Sequence, residues 1–201
     1  PEALAAFERS SLISPDSVPP LVNRAMVFAR LGQNADAEKL LLKALAIEPR
    51  SAETNFNLGL LVAEEQRLED AERYLRKALE ADPSFAEAAY NLGILLAGRG
   101  EPEGLVLCRK AAELRPDNAR YTYTLAFYLI ESGELNEARS LLEASLAADH
   151  SSGSIYSLLW SVYDRQKNSS AARKLLMQAA RDPNLSSQER AQFEARLQHF
   201  R

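Results

Sequence analysis

Three asparagines recur at a fixed interval in this sequence. Asn23, Asn57 and Asn91 are 34 positions apart, and Thr124 follows after another 33. A side-chain amide offers both a hydrogen-bond donor and an acceptor, so a row of amides can pair with the backbone of an extended peptide without requiring a particular side chain. The spacing therefore indicates binding chemistry.

The side chains that could perform catalysis are few and isolated. The two histidines, His150 and His199, fall in a predicted loop and in the last predicted helix, and they lack the spacing of metal ligands. Cys108 takes the position that Leu75 holds about one period earlier, which indicates a buried thiol acting as a small hydrophobe. We therefore predict no enzymatic activity, no metal site and no cofactor.

The same interval runs through the whole sequence. Apolar residues recur at i, i+3, i+4 and i+7 in segments such as 37–45 and 71–79, which predicts amphipathic helices. Each such segment ends at a proline, which cannot continue a helix. These prolines are about 34 residues apart, at Pro15, Pro49, Pro83 and Pro116. A fixed period of this length predicts a stack of repeated helix pairs.

The residues within each period resemble the tetratricopeptide repeat. One copy has Asn57-Leu58-Gly59 followed by Ala71, Leu75, Ala78 and Pro83, and the next has Asn91-Leu92-Gly93 followed by Gly104, Cys108, Ala111 and Pro116. This is similar to the Leu-Gly, Ala, large, small and Pro pattern of that family. The resemblance covers nearly the whole chain and implies an all-α, right-handed superhelical solenoid of antiparallel helix pairs.

The repeats have predicted boundaries. We expect residues 1–17 to be the second helix of a truncated repeat, and the chain to be a piece of a longer protein. Five repeats follow at 18–51, 52–85, 86–118, 119–152 and 153–185, and residues 186–201 form a capping helix. Trp160 stands where a small residue is expected, so the register of the fifth repeat stays open by one position.

Two serines predict the starts of helices. Ser84 with Glu87, and Ser186 with Glu189, have the Ser-x-x-Glu spacing of a capping box. In that motif the hydroxyl and the carboxylate satisfy backbone N–H groups that have no partner within the helix.

The family resemblance also implies where a partner binds. In such arrays the first helix of each repeat faces the concave groove, and the residue before Leu-Gly points into it. That position holds Asn23, Asn57, Asn91 and Thr124, which resemble the asparagine ladder of the O-linked N-acetylglucosamine transferase superhelix. We expect aromatic residues beside the ladder to anchor a partner, namely Phe56, Tyr90, Tyr123 and Phe127.

Composition narrows the partner. The formal net charge is −4, and there is neither a basic stripe nor an apolar run long enough to cross a membrane. We therefore expect a protein or peptide partner, with no nucleic acid and no membrane insertion. The cytoplasm is the default location.

These observations predict a protein-interaction scaffold that binds an extended peptide or a partner helix in its groove. Two alternatives remain open. The chain is the non-catalytic repeat portion of a larger enzyme, such as a glycosyltransferase or a redox protein, which recruits substrate or assembles subunits. Alternatively, the truncated N-terminal end around Leu4 and Phe7 mediates self-association.

Overall fold

The computed structural model describes residues 17–148 and 152–199, and these residues form eleven helices and no strand. Residues 1–16 of the predicted half repeat and His150 lie outside the described residues. The helices are α1 Val18–Arg30, α2 Asn34–Ile47, α3 Ala52–Glu64, α4 Leu68–Ala81, α5 Ala86–Gly98, α6 Pro102–Leu114, α7 Ala119–Glu131, α8 Leu135–Ala147, α9 Gly153–Arg165, α10 Ser169–Ala179 and α11 Ser187–His199. This confirms the predicted all-α helical-repeat solenoid.

The chain divides into two compact units, Pro1–Leu107 and Cys108–Arg201, with the boundary inside α6. In the N-terminal unit α1 packs on α2 and α3 packs on α4; in the C-terminal unit α7 packs on α8 and α9 on α10. Short connections make the members of each pair antiparallel. The last helix, α11, packs on α10.

The repeated leucines and small residues form the core of the N-terminal unit. Leu58 and Ala71 are fully buried, and the Leu75 side chain is 2 % exposed. A Cβ atom added to Gly59 would lie 2.9 Å from Leu75 Cγ and 3.4 Å from the Ala71 carbonyl oxygen. A glycine at this position therefore lets α3 and α4 approach closely, as the repeat pattern predicts.

The fifth helix pair has a definite register. Ala172, Leu176 and Ala179 on α10 are all buried, with the same spacing as Ala71, Leu75 and Ala78 on α4. Trp160 precedes Ala172 by the interval that separates Gly59 from Ala71. The bulky indole therefore occupies the small-residue position, where Arg196 of α11 lies over its ring at 5.3 Å.

Only one of the two predicted capping boxes forms. The Ser186 backbone N–H donates to Glu189 Oε2 at 2.9 Å, and the Glu189 N–H donates to Ser186 Oγ at 3.2 Å, which confirms the box. The prediction for Ser84 and Glu87 is wrong. The Ser84 N–H and hydroxyl both donate to Asp82 Oδ1, and α5 begins two residues later. The nearer carboxylate of Asp82 wins because it reaches the Ser84 backbone within a tight turn.

Arginine and glutamate side chains connect neighbouring repeats in the N-terminal unit. Arg76 on α4 bonds Glu103 on α6 at 2.7 Å and Glu72 on its own helix at 2.9 Å. Arg99, in the turn after α5, reaches the same Glu72 at 2.7 Å. Glu72 thus pairs with two arginines. Because its ion pairs form a network, they contribute more to stability than an isolated surface pair does.

Candidate functional site

The predicted ladder residues occupy one equivalent position in four helices. Asn23, Asn57, Asn91 and Thr124 are each the sixth residue of α1, α3, α5 and α7. Each unit has its own surface that carries these positions, and we call it the first-helix face of that unit. It is formed by α1, α3 and α5 in the N-terminal unit and by α7 and α9 in the C-terminal unit. The repeat register therefore aligns these side chains within each unit.

The three asparagines differ in their surroundings. Asn23 is exposed, Asn91 is half-buried and Asn57 is 8 % exposed. The Asn91 amide donates to the Glu87 carbonyl one turn earlier, at 2.7 Å. Among the residues that the structure describes, the Asn57 side chain has no hydrogen-bond partner. A nearly buried amide without a partner leaves both its donor and its acceptor for a ligand.

The four predicted aromatic anchors divide by unit. In the N-terminal unit Phe56 is half-buried and packs against Phe85, with ring centroids 4.8 Å apart, and Tyr90 is only 4 % exposed. In the C-terminal unit Tyr123 is 38 % exposed and Phe127 is 42 % exposed, one turn apart on α7. The α7 pair is therefore exposed, whereas Phe56 and Tyr90 are largely covered by the fold.

A cleft of about 390 Å³ lies beside Tyr123 in the C-terminal unit. One wall is α9, which presents serines at three- and four-residue spacing; another is α11. We call it the C-terminal cleft. Its lining consists of Tyr123, Gly153, Ser154, Ser157, Leu158, Ser161, Glu189, Gln192 and Phe193.

Sequence reasoning missed this cleft. Ser157 is the fifth residue of α9, which is the position of Phe56, Tyr90 and Tyr123 in their helices. The repeat register could therefore have placed Ser157 on the first-helix face. No periodic signal could have placed Glu189 or Gln192 there, because α11 lies outside the repeat.

A second cleft, of about 420 Å³, lies between α1 and α2 in the N-terminal unit. Phe28 and Leu40 give it an apolar floor, and Arg24, Lys39 and Lys43 give it positive charge against the single carboxylate of Asp36. It contains none of the predicted site residues.

Cys108 is buried and unsuited to nucleophilic chemistry. The Cys108 side chain is 1 % exposed, and burial raises the pKa of its thiol to about 11, so the thiol stays protonated near neutral pH. Within 17–148 and 152–199, no three histidine, cysteine or acidic side chains lie close enough together to hold a metal ion. Over the same ranges, no helix has the length and apolar character needed to span a bilayer.

Comparison with known proteins agrees with the repeat pattern. One sequence model described as tetratricopeptide repeat matches residues 22–84 and 64–119, and a second model of the same description matches residues 102–159. No curated protein matches the chain significantly.

Solved structures share the fold. One is YrrB, described as a TPR protein with an unusual peptide-binding site, at a TM-score of 0.76 and 20 % identity over 96 % of this chain and 100 % of that one. PilF of Pseudomonas aeruginosa has a TM-score of 0.73 and 22 % sequence identity, over 94 % of this chain and 86 % of that one. MamA of Desulfovibrio magneticus RS-1 has a TM-score of 0.62 and 21 % sequence identity, over 74 % of this chain and 85 % of that one. At these identities the likeness concerns the fold alone.

The repeat models span more than half of the sequence, and the helix pairs bury their leucines and small residues at the repeat interval. The chain belongs to the tetratricopeptide repeat family, whose members are typically non-catalytic protein-interaction scaffolds.

Proposed function

We propose that the first-helix face of each unit binds an extended peptide segment of a protein partner. The observation that carries the proposal is the pair of exposed aromatic rings on α7, Tyr123 and Phe127, of which Tyr123 lines the C-terminal cleft. Aromatic side chains contribute large apolar contact areas with few rotatable bonds, so they are frequent anchors in interfaces. Neighbouring hydroxyl and amide groups supply the polar contacts that a peptide backbone requires.

The Asn57 amide supports the same proposal in the N-terminal unit. It is nearly buried and has no partner among the described residues. A peptide backbone would supply both a carbonyl and an N–H group to such an amide. Asn91, which already donates to its own helix, retains its side-chain oxygen as an acceptor.

The charge of the chain agrees with a protein partner. A formal net charge of −4 does not favour contact with a phosphate backbone. The proposed partner is therefore a peptide or a protein segment, and nucleic acid is not expected to compete for the face.

A phage-displayed library of linear peptides, selected against the whole chain, tests the proposal. Peptides recovered with wild type should bind the Y123A/F127A double variant at least about tenfold more weakly, because each ring is a central apolar contact. Met177→Ala is the matched control, since Met177 is 37 % exposed on α10, a second helix. Recovery of no peptide, or equal losses in the two variants, would refute peptide binding on this face.

A further inference from the structure

The C-terminal cleft is built differently from the rest of the first-helix face. Its α11 wall carries Glu189, which caps its own helix at Ser186 and whose carboxylate lies close to Gly153 at the start of α9. The hydrogen bond from the Ser186 hydroxyl, followed by that from the Ser186 backbone N–H, holds the pKa of Glu189 below its usual range. A negative charge is therefore held at the cleft wall near neutral pH.

The serines on the opposite wall present acceptors. The Ser157 hydroxyl donates to the Gly153 carbonyl at 2.7 Å, and the Ser161 hydroxyl donates to the Leu158 carbonyl at 2.7 Å. Each hydroxyl has one proton, so what remains for a ligand is the lone pairs on the two oxygens. Together with Glu189, these groups favour a ligand that brings several hydrogen-bond donors.

Three apolar or aromatic side chains complete the lining. Tyr123 is partly exposed, Leu158 is half-buried and Phe193 is 4 % exposed. A volume of about 390 Å³ is within the range of ordinary ligand sites. The cleft thus suits a side chain with an aliphatic stem and a donor-rich end.

A positive charge on α11 is already engaged by aromatic rings. Arg196, one turn beyond Gln192 on α11, places its guanidinium over the rings of Trp160 at 5.3 Å and Phe193 at 6.0 Å. Cation–π contact with two rings directs this group to the aromatic faces. It is not part of the cleft lining.

We propose that the C-terminal cleft is a specificity pocket for a lysine or arginine side chain of the bound peptide. The aliphatic stem of that peptide side chain lies against Tyr123 and Leu158. Its cationic group donates to the hydroxyl oxygens of Ser157 and Ser161 and to the Glu189 carboxylate. The inference rests on the proposed function, because the pocket binds one side chain of a peptide that is bound to the first-helix face.

The test uses the peptides that wild type selects from the linear library. Each is resynthesised with its basic residue replaced by norleucine, which keeps the stem and removes the charge. We expect wild type to lose about tenfold or more in affinity, and the variant Glu189→Gln to lose much less. Glutamine keeps an acceptor oxygen for the Ser186 N–H, so the cap is preserved while the charge is removed. Glu194→Gln, on an exposed part of α11, is the control and should behave like wild type.

The second variant is S157A/S161A, which removes the two acceptors and keeps residues that favour helix. It should also reduce the difference in affinity between the lysine and norleucine peptides, while its thermal unfolding midpoint stays unchanged. Selected peptides that share no basic residue would refute the specificity pocket. So would a loss of affinity on norleucine substitution that is equal in all variants. Either result would leave the proposal of peptide binding intact. If wild type selects no peptide, the proposed function itself fails.

Discussion

Replacing Gly104 by alanine should strongly destabilise the N-terminal unit. A Cβ atom at this position would lie 2.2 Å from the Ala97 backbone nitrogen and 2.7 Å from its Cα. Ordinary contacts of a Cβ atom begin near 3.4 Å, so α5 and α6 would have to separate by more than an ångström. Main-chain atoms inside a helix cannot move aside as a side chain can.

The magnitude follows from two opposing terms. Inserting a methyl group into a packed site costs about 1 to 3 kcal/mol, and a backbone collision belongs at the upper end. Alanine regains about 1 kcal/mol over glycine in a helix. The expected net loss in the free energy of unfolding for G104A is therefore about 2 kcal/mol.

Two other glycines provide the comparison. At Gly59 the nearest atoms belong to the Leu75 side chain, which can shift, so G59A should lose about 1 kcal/mol or less. At Gly98 nothing lies within 4 Å, so G98A should equal or slightly exceed wild type. Urea unfolding followed by circular dichroism gives the three midpoints. If G104A is as stable as G98A, the close approach of α5 and α6 is refuted.

Three further predictions concern charge, binding and reactivity. The Arg76 hydrogen bond, with a further contribution from Arg99, lowers the pKa of Glu72 in the folded state. The ionised Glu72 side chain therefore stabilises the fold above about pH 4.5, and this stabilisation is lost as the pH falls through the pKa that Glu72 has in the folded state. Urea midpoints should therefore separate wild type from E72Q at neutral pH and converge in acid; a constant gap would contradict this. The N57A/N91A variant should weaken peptide binding in a fluorescence titration with little change in the helical melt, whereas a large loss of stability would make the asparagines structural. A raised pKa and burial should make Cys108 react slowly with a thiol reagent at pH 8 until urea unfolds the chain, and rapid labelling of the folded protein would contradict its burial.

The helices and their core follow from the sequence because both are local or periodic properties. Apolar spacing predicts amphipathic helices, and the repeated Leu58, Ala71 and Leu75 are buried as the pattern requires. The Ser186 and Glu189 box formed for the same reason, since its partners lie within a single turn. The box at Ser84 failed because the pattern did not weigh the competing Asp82 carboxylate.

Exposure along the first-helix face depends on tertiary packing. Phe56 and Tyr123 occupy the same position of the repeat, yet Phe56 is covered by Phe85 and Tyr123 stays open. The periodicity of one helix cannot show which neighbour covers a ring. Only the folded chain determines that.

Taken alone, the sequence determined the family, the helix pairs and the residues that form their cores, since a regular interval specifies which side chains meet between stacked helices. Tertiary structure decided where a ligand could bind. The C-terminal cleft joins serines of α9 to Glu189 and Gln192 of α11, a helix outside the repeat. No spacing in the sequence relates those residues, because their proximity arises from the way in which the last helix packs on the chain.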